Sequence, residues 1–364
     1  MSIAPSPAAN EDAPEISWFG SLCDDDYEFL GVADPALRSS WEHCREITLA
    51  AERGGFDNIL LPSGYTLGID ATVFASAIAP MITRMKLLLA LRMGEMWLPQ
   101  LARQIATLDR VLDGRLTINI ISSEMPGETM GSEDRYQRTL EHMQGLRALL
   151  SGRTLDLHGE FLDLHLDPPS ATTTAGTCPP FYFGGLSEAA REVAAAEADV
   201  YLLWPDTFDG IGAAVADVEA RAARLGRTLR HGLRTHVIVR ETEDEARAAA
   251  DRLVSHLDPI LGDEIRRRSL DSGSVGVGRQ TELRDLADAE GYIDRHLWTG
   301  VGRGRSGCGI AVVGDPDQVV ATLREYQRRG ISAFILSGYP HLAECDLVSR
   351  YVLPALRRQR SSDS

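Results

Sequence analysis

The clearest structural signal in this chain of 364 residues is the stretch Phe334-Ile335-Leu336-Ser337-Gly338-Tyr339-Pro340-His341. Its apolar start predicts a buried strand, because runs that are apolar on both faces are typical of parallel strands covered by helices. The chain then breaks at Ser337-Gly338 and presents a phenol and an imidazole just past the carboxyl end of the strand, where α/β folds place their chemistry. The alternative is a plain turn before the next helix, in which Tyr339 and His341 have no catalytic role.

The composition excludes several classes of protein. A formal net charge of -16 argues against a nucleic-acid partner, which requires a basic surface, and against an anionic membrane surface. No apolar run approaches the ~18 residues of a membrane span, and the amino terminus has no basic start or apolar core typical of a signal peptide. The five cysteines are widely spaced without Cys-x-x-Cys, so we expect reduced thiols, a cytoplasmic protein and no metal site.

Short apolar segments alternate with amphipathic ones along the whole chain. Alternating strands and helices imply a parallel sheet, and roughly eight such units predict a (β/α)8 barrel of the TIM type with insertions, over residues 15–356. The alternative is an open doubly wound sheet, which the missing Gly-x-Gly-x-x-Gly in the first unit disfavours. The predicted strands are 16–21, 58–61, 86–91, 116–121, 181–183, 200–203, 234–240, 311–313 and 334–337.

Two insertions and two chain ends depart from this alternation. We expect the ends, residues 1–14 and 357–364, to be disordered, because they are rich in small and polar residues. The insertion near 154–178 contains a hairpin-like stretch. The insertion near 257–310 is polar and glycine-rich, and we predict that it is mostly irregular and forms a lid, since long loops inside compact domains are usually functional or disordered.

A possible phosphate site is Gly184-Gly185-Leu186-Ser187, which follows a predicted strand and opens a helix. Glycines let the backbone approach a ligand closely, and the first N–H groups of a helix attract an anion. Arg135 and Tyr136, at the start of another helix, are candidates to add donors to the same phosphate. The alternative is a tight turn in which Ser187 only caps the helix.

Arg234 and His236 share one face of a predicted strand. A buried arginine is costly unless it meets an anion, so the pair indicates an anionic substrate, or else an internal carboxylate such as Glu124. Both residues precede Arg240, the predicted end of the strand. They reach the mouth of the barrel only if the strand is shorter than the predicted range 234–240.

Two further side chains are candidates on weaker grounds. Trp204 ends a predicted strand and can either line an apolar or sugar-binding wall or simply pack on the barrel. Arg305, with Arg303, lies in the glycine-rich insertion and can either fold over a bound anion or belong to a solvated loop.

Five segments of the chain form a recognisable set, namely Ala102–Arg110 (ARQIATLDR), Tyr182–Gly185 (YFGG), His236–Thr242 (HVIVRET), Trp298–Gly302 (WTGVG) and Leu336–His341 (LSGYPH). In this order they resemble the bacterial-luciferase-like flavin monooxygenases, and within them the alkanesulfonate monooxygenase branch. The resemblance covers residues 16–356, and it implies the family's (β/α)8 barrel.

The resemblance implies an FMNH2- and O2-dependent enzyme that cleaves a carbon–sulfur bond of a sulfonate to give sulfite and an aldehyde. It implies a separate NAD(P)H-dependent FMN reductase as partner, and a homodimer or homotetramer. The implied pocket for the sulfonate and the oxygenated flavin comprises Trp204, Arg234, His236, Tyr339 and His341, with Arg305 as the lid arginine. The implied FMN site comprises Ser63, Met93, Ser122, Tyr136, Gly184, Gly185, Leu186 and Ser187.

The chain also departs from the alkanesulfonate enzymes. It has Tyr65-Thr66-Leu67-Gly68 where they carry a cysteine, and Cys23-Asp24-Asp25-Asp26 where they carry a histidine. Carboxylates suit sugar hydroxyls better than an alkyl tail, because they accept hydrogen bonds from them. These departures resemble the sulfoquinovose monooxygenases, and the carboxylates concerned are Asp24, Asp25, Glu95 and Glu124.

The alternatives to this function are a simple alkanesulfonate as substrate, a sulfone or alkane oxidised by the same fold with a flavin or deazaflavin, and a non-catalytic flavoprotein.

Overall fold

The computed structural model describes residues 13–65, 68–267 and 273–358, so the predicted disordered ends lie outside the described residues except for 13–14 and 357–358. The strands are β1 (Glu15–Phe19), β2 (Asn58–Leu61), β3 (Lys86–Arg92), β4 (Leu116–Ile121), β5 (Leu155–His158), β6 (Asp163–Leu166), β7 (Phe181–Gly184), β8 (Val200–Leu203), β9 (Arg230–Val239), β10 (Tyr292–Asp294), β11 (Leu297–Trp298), β12 (Ala311–Gly314) and β13 (Ile331–Ser337). The helices are α1 (Trp41–Gly54), α2 (Ala71–Ile78), α3 (Leu98–Val111), α4 (Ser132–Leu150), α5 (Glu188–Glu197), α6 (Phe208–Arg224), α7 (Glu243–Val254), α8 (Pro259–Arg267), α9 (Val275–Asp285), α10 (Pro316–Arg328), α11 (His341–Tyr351) and α12 (Leu353–Arg357).

Eight of these strands close into a parallel barrel in the order β1-β2-β3-β4-β7-β8-β9-β13, and β13 pairs again with β1. The predicted (β/α)8 barrel is therefore confirmed. Helices follow the strands and pack outside the ring, where one face of each strand contributes to the main apolar core. The other face fills the barrel itself with side chains such as Phe19, Leu60, Leu88 and Tyr182.

Local sequence signals set several helix ends. Ser40 caps α1 by accepting a hydrogen bond from the backbone N–H of His43, and Gly55 ends the helix in the left-handed conformation with φ 87°. Capping boxes start α7 at Thr242 and α10 at Asp315, where a Glu or Gln three residues later returns the hydrogen bond.

Strand β9 is longer than its barrel neighbours and resolves the position of the Arg234 and His236 pair. Its first half pairs with β8 and β13, whose last residue, Ser337, lies opposite His236. Beyond His236, β9 pairs instead with β12, from Ala311 to Gly314. Both side chains therefore lie at the carboxyl-terminal mouth of the barrel, although the strand continues to Val239.

Strand β12 was predicted as one of the barrel repeats, and this is wrong. It branches from β9 outside the closed ring, and the short antiparallel strands β11 and β10 extend the branch. A three-residue apolar run indicates a strand but does not say which neighbour it pairs with, because pairing depends on distant residues.

The insertion near 257–310 is also more regular than predicted. Its described part contains α8, α9, β10 and β11 rather than an irregular loop. Helix α9 is fixed to the loop after β8 by two hydrogen bonds from Arg279 to Asp206, at 2.7 and 2.8 Å, and by Gln280, which donates to the carbonyl of Pro205. The other insertion contains the predicted hairpin, formed by β5 and β6.

A network of polar side chains fills the amino-terminal end of the barrel. The carboxylate of Glu15 accepts hydrogen bonds from the hydroxyl of Tyr182 at 2.6 Å, Asn58 Nδ2 at 3.3 Å and Lys86 Nζ at 3.2 Å. Arg230 lies 3.6 Å from the same carboxylate. Among the described helices, none is long and apolar enough to cross a bilayer.

Candidate active site

The mouth of the barrel is organised around the ring of Phe19, which points into the barrel from the end of β1. The guanidinium carbon of Arg234 lies 4.3 Å from the centre of this ring, and that of Arg305 lies 5.4 Å from it. Two cations that come from distant parts of the chain thus share one aromatic platform, an arrangement stabilised by cation–π attraction.

Arg234 is only 4% exposed and has incomplete hydrogen bonding. Its Nη1 lies 3.3 Å from Nε2 of His236, whereas its Nη2 is buried without a partner among the described residues. Burial lowers the pKa of Arg234, and no carboxylate of the described residues lies within hydrogen-bonding distance of its guanidinium. A buried guanidinium with a free donor is the side chain best suited to bind an oxyanion.

Arg305 is held by two groups at the mouth. Its Nη1 donates a hydrogen bond to Asp25 Oδ2 at 2.8 Å and another to the hydroxyl of Tyr339. Burial alone would raise the pKa of Asp25, but the charge of Arg305 and its hydrogen bond to the carboxylate hold that pKa below its ordinary value. The pKa of the Tyr339 phenol is raised by burial, so it stays protonated. Arg305 and Asp25 therefore form a true ion pair at neutral pH.

Two histidines complete the polar wall. Burial and then the charges of Arg234 and Arg305 keep the pKa of His236 well below its ordinary value, so its imidazole is neutral. Its Nδ1 lies 2.9 Å from the hydroxyl of Ser337. His341 is fully buried, its pKa is lowered by burial, and neither ring nitrogen has a partner among the described residues.

The opposite arc of the mouth contains the predicted phosphate turn. Gly184 ends β7, and Ser187 caps α5 by accepting from the N–H of Ala190 at 3.2 Å. A Cβ at Gly185 would lie 2.6 Å from the Cβ of Ala190 and 3.2 Å from the hydroxyl of Tyr136. Only glycine fits there, and a phenol and a helix amino terminus face the same turn. These groups suit the phosphate of FMN.

A family model described as luciferase-like monooxygenase matches residues 28–333. The chain belongs to this family. A sulfoquinovose monooxygenase of Novosphingobium aromaticivorans is 62% identical over 347 residues, which are 93% of this chain and 96% of that protein. One of Agrobacterium fabrum is 49% identical over 360 residues, 98% of this chain and 93% of that protein.

The fold of this luciferase-like chain is also found in solved structures of low sequence identity. The riboflavin lyase RcaE, solved with a modified FMN and riboflavin, superposes with a TM-score of 0.78 at 16% identity, over 95% of this chain and 91% of that one.

The other predicted flavin residues of this luciferase-like barrel lie on adjacent strands. Ser63 follows β2 and Met93 follows β3. Ser122 follows β4, and its hydroxyl donates to that of Thr139 at 2.7 Å. Arg135 does not turn toward the phosphate turn, since it donates to the carbonyls of Ser122 and Met130 and to Glu124. The FMN-binding roles of these residues stay predictions.

Several carboxylates that were predicted for sugar recognition have protein partners. Glu95 pairs with Arg92, and Glu124 pairs with Arg135, so the alternative in which Glu124 is the internal partner of Arg234 is wrong. Asp24 accepts from the N–H of Ser39 at 2.7 Å. Asp25 is the carboxylate of this predicted set that contacts Arg305.

Trp204 lies half-buried after β8, where a Cβ at Gly276 or Gly307 would approach its indole to 3.0 or 3.2 Å. Both the packing and the wall interpretation fit this position. Phe19 was missed by the sequence analysis, although its place one residue before the Gly20 break and on the inward face of β1 was a usable signal.

Asp26 was also missed. It accepts from the N–H of His341 at 2.9 Å and lies 2.8 Å from Nε2 of His43. It thereby anchors the start of α11, and no local pattern pointed to either partner.

Proposed function

We propose that the protein is an FMNH2- and O2-dependent monooxygenase that cleaves the carbon–sulfur bond of sulfoquinovose (6-deoxy-6-sulfoglucose). One oxygen atom of O2 enters the substrate carbon and the other leaves as water, so the products are sulfite, a sugar aldehyde and FMN. The observation that carries the proposal is the pair of arginines over Phe19 with the buried free donor of Arg234. The two relatives named for this reaction supply the sugar.

The residues at the phosphate turn would hold the cofactor. Gly184 to Ser187, the hydroxyl of Tyr136 and the amino terminus of α5 would bind the FMN phosphate, with Ser63, Met93 and Ser122 along the neighbouring strand ends. Reduced FMN supplies the two electrons that oxygen activation needs. The protein contributes the orientation of the substrate and a water-poor environment.

The arginines and their neighbours would bind and orient the sulfonate. Arg234 and Arg305 would each donate to its oxygens, and the neutral His236 beside Arg234 adds a group that can donate or accept without changing the charge. The protonated phenol of Tyr339 adds a donor. His341, which is neutral and whose ring nitrogens have no hydrogen-bond partner among the described residues, is the candidate base for the proton on the carbon that becomes the aldehyde.

Arg305 comes from the insertion 257–310, and we assign it the role of the lid arginine that closes over the substrate. Trp204 packs beneath this insertion and would form the wall of the sugar site.

A separate NAD(P)H-dependent FMN reductase in the cytoplasm would supply FMNH2.

A second copy of the chain would cover the face formed by α2 and α3, where Val73, Trp97 and Val111 are 70%, 60% and 50% exposed. The sedimentation coefficient should then fall to that of a monomer in Val73→Glu, and an unchanged coefficient would rule out this face.

Sulfite release tests the function directly. The protein is supplied with an unrelated FMN reductase, NADH, FMN and O2, and sulfoquinovose is compared with C2 to C10 alkanesulfonates. Sulfite from the sugar alone is the expected result. Sulfite from the alkyl chains would keep the sulfonate chemistry and discard the sugar, and no sulfite from either would point to a sulfone, an alkane or a deazaflavin reaction.

A further inference from the structure

The proposed anion site at Arg234 and Arg305 also contains a buried carboxylate, which the binding of an oxyanion does not require. Asp25 lies among the cations, with Oδ2 at 2.8 Å from Arg305 and Oδ1 at 3.4 Å from the hydroxyl of Ser21. Burial raises the pKa of Asp25, but Arg305 and Arg234 hold it below its ordinary value, so Asp25 is ionised when the arginines are. A negative charge beside the arginines weakens the binding of every anion.

The charges of the groups that share this site can be counted. Arg234 and Arg305 each contribute a positive charge and Asp25 a negative one. His236 and His341 are neutral because burial lowers each pKa, and Tyr339 and Cys23 stay protonated because burial raises theirs. The cluster around Phe19 therefore carries one net positive charge.

The neighbouring carboxylates have other hydrogen-bond and ion-pair partners. Asp24 lies 3.5 Å from Arg38 and accepts from the backbone of Ser39. Asp26 accepts from two backbone N–H groups and lies against His43. Neither carboxylate contacts Arg234 or Arg305 among the hydrogen bonds of the described residues, so the net charge at the arginines depends on Asp25.

We propose that Asp25 is the specificity-determining residue that makes the site accept a monoanionic sulfonate and reject a dianionic phosphate on the same sugar. This inference rests on the proposed function. A sulfonate is a monoanion throughout the physiological pH range and leaves the buried cluster neutral. A phosphate monoester has its second pKa near ~6 and is mostly a dianion above pH 7, so it would leave an uncompensated negative charge in a buried site. Discrimination of this kind uses repulsion of the wrong ligand.

Sugar phosphates are the abundant competitors of this shape in a cell, and the arginines alone would favour them. Two guanidiniums attract a dianion more strongly than a monoanion. The ion pair of Asp25 and Arg305 reverses that preference without removing either arginine.

The test uses a matched pair of non-hydrolysed ligands, glucose 6-sulfate and glucose 6-phosphate, as inhibitors of sulfite release from sulfoquinovose by the full chain with an unrelated FMN reductase. At pH 8 we expect the sulfate to bind at least roughly tenfold more tightly than the phosphate to the wild type. At pH 5.5, where the phosphate is mostly a monoanion, the ratio should fall to about threefold or less.

Asp25→Asn should remove the preference at pH 8, because the amide keeps an acceptor for Arg305 but not the charge. Asp24→Asn is the matched control. It removes the same formal charge one residue away, and asparagine is well tolerated at its left-handed φ of 50°. The sulfate-to-phosphate ratio should stay at its wild-type value in this control.

Three results would overturn the inference. These are equal inhibition by both esters in the wild type at pH 8, a wild-type ratio in Asp25→Asn, and loss of binding of both sugar esters in Asp25→Asn while inorganic sulfate still binds, which would make Asp25 a hydroxyl acceptor. The pH dependence of the wild-type ratio needs no variant and decides the matter if Asp25→Asn does not fold. Absence of sulfite release from sulfoquinovose by the wild type would instead reject the proposed function.

Discussion

The two ends of the barrel differ in how completely their buried charged and polar groups are hydrogen-bonded. At the amino-terminal end, Glu15 meets Tyr182, Asn58 and Lys86, and each oxygen of its carboxylate has a donor. At the carboxyl-terminal mouth, Arg234 Nη2 and both ring nitrogens of His341 are buried without a partner among the described residues. Unsatisfied buried polar groups cost stability. We infer from this difference that the amino-terminal end stabilises the fold, and we propose that the mouth retains these costly polar groups for binding.

The largest expected effect comes from removing the unpaired charge at the mouth. In Arg234→Met we expect sulfite release to fall by about three orders of magnitude or more, because the sulfonate loses a buried charged donor. The same change should raise the free energy of unfolding by about 1 kcal/mol, since a buried charge with a free donor is replaced by a side chain of similar length. Steady-state kinetics and urea denaturation measure the two effects.

A loss of stability in Arg234→Met would mean that Arg234 is a structural residue, and the contrast between the two ends would fail.

Removing the charge of Glu15 at the amino-terminal end of the barrel tests the same difference between the two ends. In Glu15→Gln we expect the free energy of unfolding to fall by about 2 kcal/mol, because Lys86 and Arg230 lose their shared counter-ion. The value of kcat/KM should stay within about twofold of the wild type when measured well below the melting temperature. Lys86 is half-exposed, so Lys86→Gln is a milder control. A large loss of kcat/KM in Glu15→Gln would show that the two ends are not independent.

At the mouth of the barrel, the proposed FMN-binding turn at Gly185 can be tested separately from the arginines that would bind the sulfonate. A methyl group at Gly185 would collide with Ala190 and approach the hydroxyl of Tyr136. We expect Gly185→Ala to weaken FMN binding by roughly tenfold or more, as seen by fluorescence quenching, because the turn must shift away from the phosphate. Gly226→Ala provides a control for a glycine in an open turn. Unchanged FMN affinity in Gly185→Ala would remove this turn from the cofactor site.

The smallest effect concerns acid stability. Burial raises the pKa of Glu15, but Lys86, Tyr182 and Arg230 outweigh it and hold the pKa below the ordinary 4.5. A carboxyl with a lowered folded-state pKa stabilises the protein fully above its unfolded pKa, and this contribution disappears as the pH falls through the folded value. The stability of the wild type should therefore fall more steeply below pH 4.5 than that of Glu15→Gln. If the stability of both proteins falls equally steeply below pH 4.5, this network does not keep Glu15 ionised.

The sequence by itself determined the repeating strands and helices, the cap at Ser187, and the tight glycine turn at Gly184 and Gly185. These features depend on periodicity and on residues a few positions apart, which a single sequence displays directly. Because side chains alternate along a strand, the spacing of two residues was enough to place Arg234 and His236 on one face of β9. The luciferase-like family could be inferred from five short segments.

Only the tertiary structure decided which distant groups meet. It placed β12 outside the ring, brought Arg234 level with Ile335 on β13, and paired Arg305 with Asp25, 280 residues away in the chain. It also separated Glu124 from Arg234 and showed helices in the insertion near 257–310. Strand pairing and buried charge balance depend on three-dimensional proximity, and local sequence preferences carry no information about it.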